Sequence, residues 1–130
     1  MNERQAHALS LRHTDISGAV QRLGGDEAVY ERCLRDFLYD ATAEQLDQAI
    51  EGSFWDEAFT AAHALKGVAG NMGFVPLMHS TGQLLVLIRG GRMQDIPAAL
   101  ERVNSSYRDI IDGIDQFFAY AGDTEKENEK

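Results

Sequence analysis

The chain has 130 residues, of which 44% are hydrophobic and 25% charged, a balance typical of one soluble domain with its own core. Twenty-one acidic against 12 basic residues give a net charge of −9, which argues against nucleic acid or an anionic membrane as partner. The longest apolar run, Leu84 to Ile88, is far shorter than the roughly 20 residues that cross a bilayer. The short apolar runs and the polar N-terminal residues MNERQ predict a cytoplasmic protein without membrane insertion. The single cysteine, Cys33, is expected to pack in the core.

Apolar residues recur at three- and four-residue steps through most of the chain, and no segment alternates apolar and polar residues long enough to predict a strand. Glycines and prolines divide this pattern into helical segments. Four long helices are predicted, over residues 26–50, 53–73 with Ser53 as N-cap, 76–90 and 95–117. A shorter helix is expected over residues 15–23.

The connections between these helices are only a few residues long, which makes consecutive helices antiparallel neighbours. The sequence therefore predicts an all-α domain over residues 15–121, an up-down-up-down antiparallel four-helix bundle with a short N-terminal capping helix. Residues 1–14 are expected to form a flexible N-terminal segment. Residues 122–130, GDTEKENEK, have no apolar side chain and are expected to form a disordered acidic tail.

The helix predicted over residues 53–73 has two chemically different sides. On a helical wheel its apolar residues fall opposite His63; they are Phe54, Ala58, Ala61, Leu65, Val68, Ala69 and Met72. His63 is therefore predicted to face solvent, with Gly67 and Gly70 on its own side and Lys66 flanking it. Because a glycine inside a helix costs about 1 kcal/mol relative to alanine, two of them on the solvent side indicate that another surface approaches there.

These residue types suit the transfer of a phosphoryl group. A neutral imidazole is nucleophilic near pH 7, and its phosphoryl adduct is labile enough to be passed on. Lys66 lies on the adjacent ridge, where its positive charge could pair with an anion on the ring. Gly67 and Gly70 would leave room for another protein to reach the imidazole. Without such neighbours, an exposed histidine is more often an ordinary surface residue.

The segment HALKG at residues 63–67, followed by Gly73, resembles the HxxKG(x5)G signature of histidine-containing phosphotransfer (HPt) domains. The resemblance extends upstream to LGGD at residues 23–26 and downstream through the third long helix. It implies a four-helix bundle with His63 as the exposed phospho-accepting residue. It also implies that Lys66 assists electrostatically and that Gly67 keeps the docking face open.

The resemblance also implies partners. A receiver-domain aspartate, or a hybrid sensor histidine kinase, would supply the phosphoryl group to His63, and another response-regulator receiver would take it in a two-component phosphorelay. Mg²⁺ is expected on the receiver, so no cofactor or metal is expected on this chain. The sequence has no GxxxxGK[ST] nucleotide loop, which favours a phosphocarrier without an ATP site over an enzyme. A single site on a self-contained core favours a monomer.

Two positions depart from the family's pattern. Leu85 stands where many members have a Glu or Gln able to hydrogen-bond the histidine, and Gly70 replaces a small residue that is commonly alanine.

Three apolar side chains near the histidine are candidates for docking a receiver domain: Phe59, Leu85 and Val86. Trp55 and Phe59 could instead pack on the short N-terminal helix.

Two other classes of function fit the sequence less well. A di-metal helical bundle requires Glu-x-x-His pairs, and none of the four histidines has a Glu three residues before it. A docking module that is no longer phosphorylated would account for Leu85, but the intact His63 and Lys66 argue against it. No role is assigned to the other three histidines, which are His7, His13 and His79.

Overall fold

The computed structural model describes residues 1–122, and every regular element in that range is helical. Within it the helices are α1 (Glu3–Ser10), α2 (Ile16–Arg22), α3 (Glu27–Leu38), α4 (Thr42–Glu51), α5 (Trp55–Met72), α6 (Val75–Arg89) and α7 (Ile96–Ala119). A short 3₁₀ turn, Met93–Asp95, precedes α7. An isolated β-bridge joins Thr14 to Phe74. The predicted all-α class is confirmed.

Helix α5 lies at the centre of the packing. It contacts α4 and α6, α6 packs against α7, and α4 also touches α7, so these four helices enclose a helical bundle core. Helix α1 packs on α7, while α3 contacts both α5 and α7. The largest side chains without solvent exposure come from every part of this arrangement and include Tyr30, Phe74, Phe117, Leu9, Leu34, Leu46, Leu65 and Ile114. Cys33 is half-buried against the same core.

The segment predicted as one helix over residues 26–50 is two helices, α3 and α4. The break falls at residues 39–41, where the Asp40 carboxylate accepts a 2.7 Å hydrogen bond from the Thr42 backbone N–H. Aspartate offers the backbone this local contact in place of a helical hydrogen bond, and so favours helix ends. Because the apolar spacing continues across the break, periodicity alone does not reveal it.

The N-terminus also differs from the prediction, because residues 1–14 contain helix α1 instead of a flexible segment. Asn2 and Gln5 form a capping box, in which each side chain accepts a hydrogen bond from the other residue's backbone N–H. Leu9 is completely buried. A helix of this length is marginal alone, but α7 gives it an apolar surface to pack on. The helix predicted over residues 15–23 is present as α2.

Helix α5 begins at Trp55, two residues later than predicted. Ser53 has a left-handed backbone with φ of 57° and makes no capping hydrogen bond. Phe54 is 60% exposed, so placing it in the buried stripe was wrong. The rest of the predicted stripe does face the core: Ala58, Ala61, Leu65, Ala69 and Met72 are buried, and Val68 is half-buried.

A backbone contact fixes the C-terminal end of α5. Gly73 ends the helix in a left-handed conformation with φ of 77°, which favours glycine. Its carbonyl accepts a 2.8 Å hydrogen bond from the Asp15 N–H, beside the bridge between Thr14 and Phe74. A side chain at Gly73 would collide with the Asp15 backbone, because a Cβ there would lie 2.9 Å from the Asp15 carbonyl carbon. The connection from α5 to α6 is thereby tied to the start of α2.

Side chains hold the last carbonyls of the same helix. The buried Tyr30 hydroxyl donates a 2.9 Å hydrogen bond to the Met72 carbonyl, and burial raises the pKa of Tyr30, which keeps this hydroxyl a donor. The Arg22 guanidinium donates to the carbonyls of Gly70 and Asn71. These bonds satisfy carbonyls that the end of a helix leaves without partners.

The two later helices match their predicted bounds closely, with a proline in the first turn of each. Across residues 1–122 no helix is both long enough and apolar enough to span a membrane. The acidic tail expected over residues 122–130 lies, apart from Gly122, outside the described residues.

We expect Gly73→Ala to lower the free energy of unfolding more than Gly24→Ala does, measured by urea denaturation. Both glycines have a positive φ, of 77° at Gly73 and 81° at Gly24. An alanine in this left-handed conformation lowers the free energy of unfolding by roughly 1 kcal/mol at either position. The space around them differs, since a Cβ at Gly24 meets nothing within 4 Å, whereas at Gly73 it meets the Asp15 backbone. Equal losses in the two variants would contradict the close packing described for Gly73.

Candidate functional site

His63 lies on the exposed face of α5, as predicted. The residues on the opposite face, including Ala61, Leu65 and Ala69, are buried in the core. The imidazole hydrogen-bonds to no residue in the range 1–122. A histidine so placed contributes little to core packing and has both ring nitrogens available to a partner.

A shallow cavity of about 240 Å³ lies between α5 and α6, and His63 forms part of its wall. Helix α5 contributes Phe59, His63 and Lys66, and α6 contributes Gly82, Leu85, Val86 and Arg89. The structure therefore brings together the predicted phospho-acceptor, the predicted cation and all three candidate docking residues.

Phe59 is stacked beside the histidine. Its ring centroid lies 6.3 Å from that of His63, with an interplanar angle of 30°. The guanidinium carbon of Arg89 lies over the Phe59 ring, 5.2 Å from its centroid. Phe59 is half-buried against the core, and its ring contacts His63 and Arg89, so it takes part in the site itself.

Arg89 and Gly82 also belong to the site and are not among the residues predicted from the sequence. Both share one face of α6 with Leu85, at steps of three and four residues, which is the signal that would have grouped them. Arg89 is exposed at the C-terminal end of α6, where a cation is also favoured by the helix dipole.

Lys66 extends from α5 across to Gly82 on α6. Its Cε and Nζ atoms lie 3.6 and 3.8 Å from the position that a Cβ on Gly82 would occupy. In the described part of the chain, neither Lys66 nor Arg89 has a carboxylate within ion-pair distance. On a protein of net charge −9, two unpaired cations beside His63 favour the approach of an anion to that side.

The two glycines predicted to clear the docking face differ in their surroundings. A Cβ at Gly67 would meet nothing within 4 Å, which fits an open surface one turn beyond His63. A Cβ at Gly70 would lie 3.3 Å from the Met78 Sδ on α6. Gly70 is therefore half-buried against α6, and packing explains this glycine better than docking clearance.

The candidate docking residues also differ in exposure. Val86 is 71% exposed and presents a free apolar side chain next to the cavity. Leu85 is only 9% exposed, so it forms the inner wall of the cavity and offers little surface to a partner. Of the three candidate docking residues, only Val86 is exposed, and Phe59 is half-buried.

A larger groove lies on the neighbouring face of α5, between α4 and α5. It encloses about 720 Å³ and is lined in part by the exposed Phe54 and by Thr60 and Ala64, which flank His63 on its helix. The sequence does not predict this groove, because the groove depends on how two helices pack. No group of three His, Cys, Asp or Glu side chains within residues 1–122 could hold a metal ion.

Comparison with known families identifies the class of protein. Residues 35–117 match the Hpt domain family, and the chain belongs to that family. No curated protein and no solved structure gave a significant match. The resemblance inferred from the segment HALKG is confirmed. Hpt domains carry out histidine phosphotransfer in two-component phosphorelays, act as phosphocarriers, and interact with receiver domains and kinases.

We expect Gly67→Ala to raise the free energy of unfolding by about 1 kcal/mol, because alanine is the better helix former and the new methyl meets open space. Gly70→Ala should give a smaller gain or none, since the Met78 side chain must shift to admit the methyl. Thermal unfolding of the two variants side by side measures the difference. A larger gain for Gly70→Ala would contradict the packing role given to Gly70.

Proposed function

We propose that His63 is the phospho-accepting residue of a phosphorelay intermediate, which takes a phosphoryl group from a receiver-domain aspartate or a kinase and passes it to another receiver aspartate. The observation that carries this proposal is the exposed imidazole of His63, which hydrogen-bonds to none of residues 1–122 and is flanked by Lys66, itself without an ion-pair partner in that range. Membership in the Hpt domain family supports it. Within the predicted domain over residues 15–121, we assign α4 to α7, residues 42–119, to the up-down-up-down antiparallel bundle.

The transfer step requires an unprotonated ring nitrogen. Its lone pair forms the N–P bond while the bond from phosphorus to the aspartate oxygen breaks, and the electron pair leaves with the carboxylate. Donor and acceptor then exchange roles with the next receiver. Since the phosphoryl group is transferred and not hydrolysed, the protein contributes mainly position and charge.

Each neighbour of His63 has a part in this proposal. Lys66 would pair with the phosphoryl oxygens, and its charge is available because no carboxylate among residues 1–122 forms an ion pair with it. Gly67 leaves the surface open to the receiver. Val86 and Phe59 would supply apolar contact at the edge of the interface, with Leu85 behind them.

Mg²⁺ is proposed to belong to the receiver, which would hold the metal against the phosphoryl group, and no metal ligand is assigned on this chain. We also propose that the protein is a cytoplasmic monomer without an ATP site of its own. Its phosphoryl group would then always come from a partner.

The decisive test is transfer from a phosphorylated receiver domain in the presence of Mg²⁺. We expect an acid-labile, base-stable phosphoryl group on His63 that can return to a receiver, and no label on His63→Gln. The variant should unfold at the same temperature as the wild-type protein within about a degree, because an exposed side chain carries little core energy. His79→Gln, an exposed histidine on α6 outside the cavity, is the matched control and should label normally.

Absence of label with several receivers, in a protein shown to be folded, would refute the phosphocarrier proposal. It would favour a docking module that is no longer phosphorylated, and Leu85→Gln would then be the first change to examine. Label on a residue other than His63 would refute the site assignment alone.

Lys66→Ala is expected to slow transfer about tenfold, corresponding to roughly 1.4 kcal/mol of barrier, because a cation beside the transferred group is lost. Lys66→Arg keeps the charge and should retain more of the rate. Arg102→Ala removes an exposed cation from α7, outside the cavity, and should have no effect. Single-turnover transfer from a phosphorylated receiver measures all three, and an unchanged rate in Lys66→Ala would dismiss its role.

A further inference from the structure

We propose that Phe59 is a positioning residue for His63, whose ring orients the imidazole for attack on the phosphorus of a docked receiver. The inference rests on the proposed function, and it gives Phe59 a role beyond docking contact. Its basis is the geometry of the cavity between α5 and α6.

Few other contacts can fix the orientation of the His63 imidazole. It hydrogen-bonds to no described residue. Of the side chains that α6 contributes to the cavity, Leu85 and Val86 have no polar atom, and the Arg89 guanidinium lies over Phe59. Phe59 lies one turn before His63 on α5, at the four-residue spacing that brings helical side chains together. Its ring lies 6.3 Å from the imidazole at 30°, within the distance range of interacting aromatic pairs.

Phe59 is itself held in place, which a positioning residue requires. Part of its ring packs against the core. The Arg89 guanidinium from α6 lies over the ring, 5.2 Å from its centroid, in a cation–π arrangement. The ring is thus held by contacts with the core and with Arg89 of α6, in addition to its contact with His63.

The stack would act on the rate of the chemical step more than on the affinity for the receiver. An imidazole that rotates freely about its side-chain bonds spends only part of its time with a nitrogen aimed at the phosphorus, and holding the reacting groups aligned is a large source of rate enhancement. A docking contact, by contrast, would change the receiver concentration needed for half-maximal rate and leave the maximal rate alone.

The test is single-turnover phosphoryl transfer from a phosphorylated receiver with Mg²⁺, measured over a range of receiver concentrations. For Phe59→Leu we expect the maximal rate to fall about five- to tenfold with the half-saturating concentration within twofold of wild type. Phe59→Tyr keeps the ring and should restore the rate to within about twofold of wild type.

Phe118→Leu is the matched control. Phe118 is also a half-buried phenylalanine with an arginine over its ring, the Arg35 guanidinium carbon lying 4.7 Å from the centroid, but it lies on α7 with no histidine beside it. Its loss should destabilise the fold comparably and leave both kinetic parameters unchanged.

A spectroscopic measurement reports on the stack directly. The Phe59 ring current should displace the NMR resonances of the His63 ring protons, so Phe59→Leu should move them towards the positions of an unstacked histidine. Phe59→Tyr should retain most of the displacement, and Phe118→Leu should not affect it.

Three results would overturn the inference while leaving the proposed function intact, because wild-type His63 would still be labelled. They are a wild-type maximal rate in Phe59→Leu, a change confined to the half-saturating concentration, and an equal loss of rate in Phe118→Leu. Failure to label wild-type His63 would instead count against the proposed function.

Discussion

The site depends on how the C-terminal end of α5 is held. Gly73 turns the chain in a left-handed conformation directly against the Asp15 backbone. The buried Tyr30 hydroxyl donates a hydrogen bond to the Met72 carbonyl. Because this end is fixed, α6 starts at a defined position and returns along α5 at close range. The cavity that contains His63 lies between these two helices, so the turn at Gly73 determines which α6 residues face the histidine.

The two faces of α5 differ: one packs in the core, and the other contains the candidate site. Its buried side is built largely of alanine, with Ala58, Ala62 and Ala69 fully buried, which lets α4 and α6 approach closely. Its exposed side has the histidine, the unpaired lysine and a glycine with open space around it. Since these residues add little to the core, this face, which we propose to be the reactive one, could be adapted to a partner at small cost in stability.

Most of what the sequence predicts is determined by single helices, and most of what it misses depends on how two helices pack. Periodicity located α5, α6 and α7 and placed His63 on the solvent side, because the angle around one helix follows from residue number alone. It joined α3 to α4, since the Asp40 contact that separates them is local and interrupts no apolar spacing. Gly70 was assigned to docking and Arg89 was overlooked for one reason: a helical wheel does not show which residue of the neighbouring helix lies opposite.

Because Leu85 has no polar atom in its side chain, it cannot fix the orientation of the imidazole by a hydrogen bond. A hydrogen bond from α6 would orient the ring and also select which nitrogen bears the proton. A stack on Phe59 constrains only the ring plane and leaves both nitrogens to solvent or to the docked partner. Under the proposed function, the chain would then hold the ring ready for attack, while the receiver and its metal would complete the arrangement of charge around the phosphoryl group.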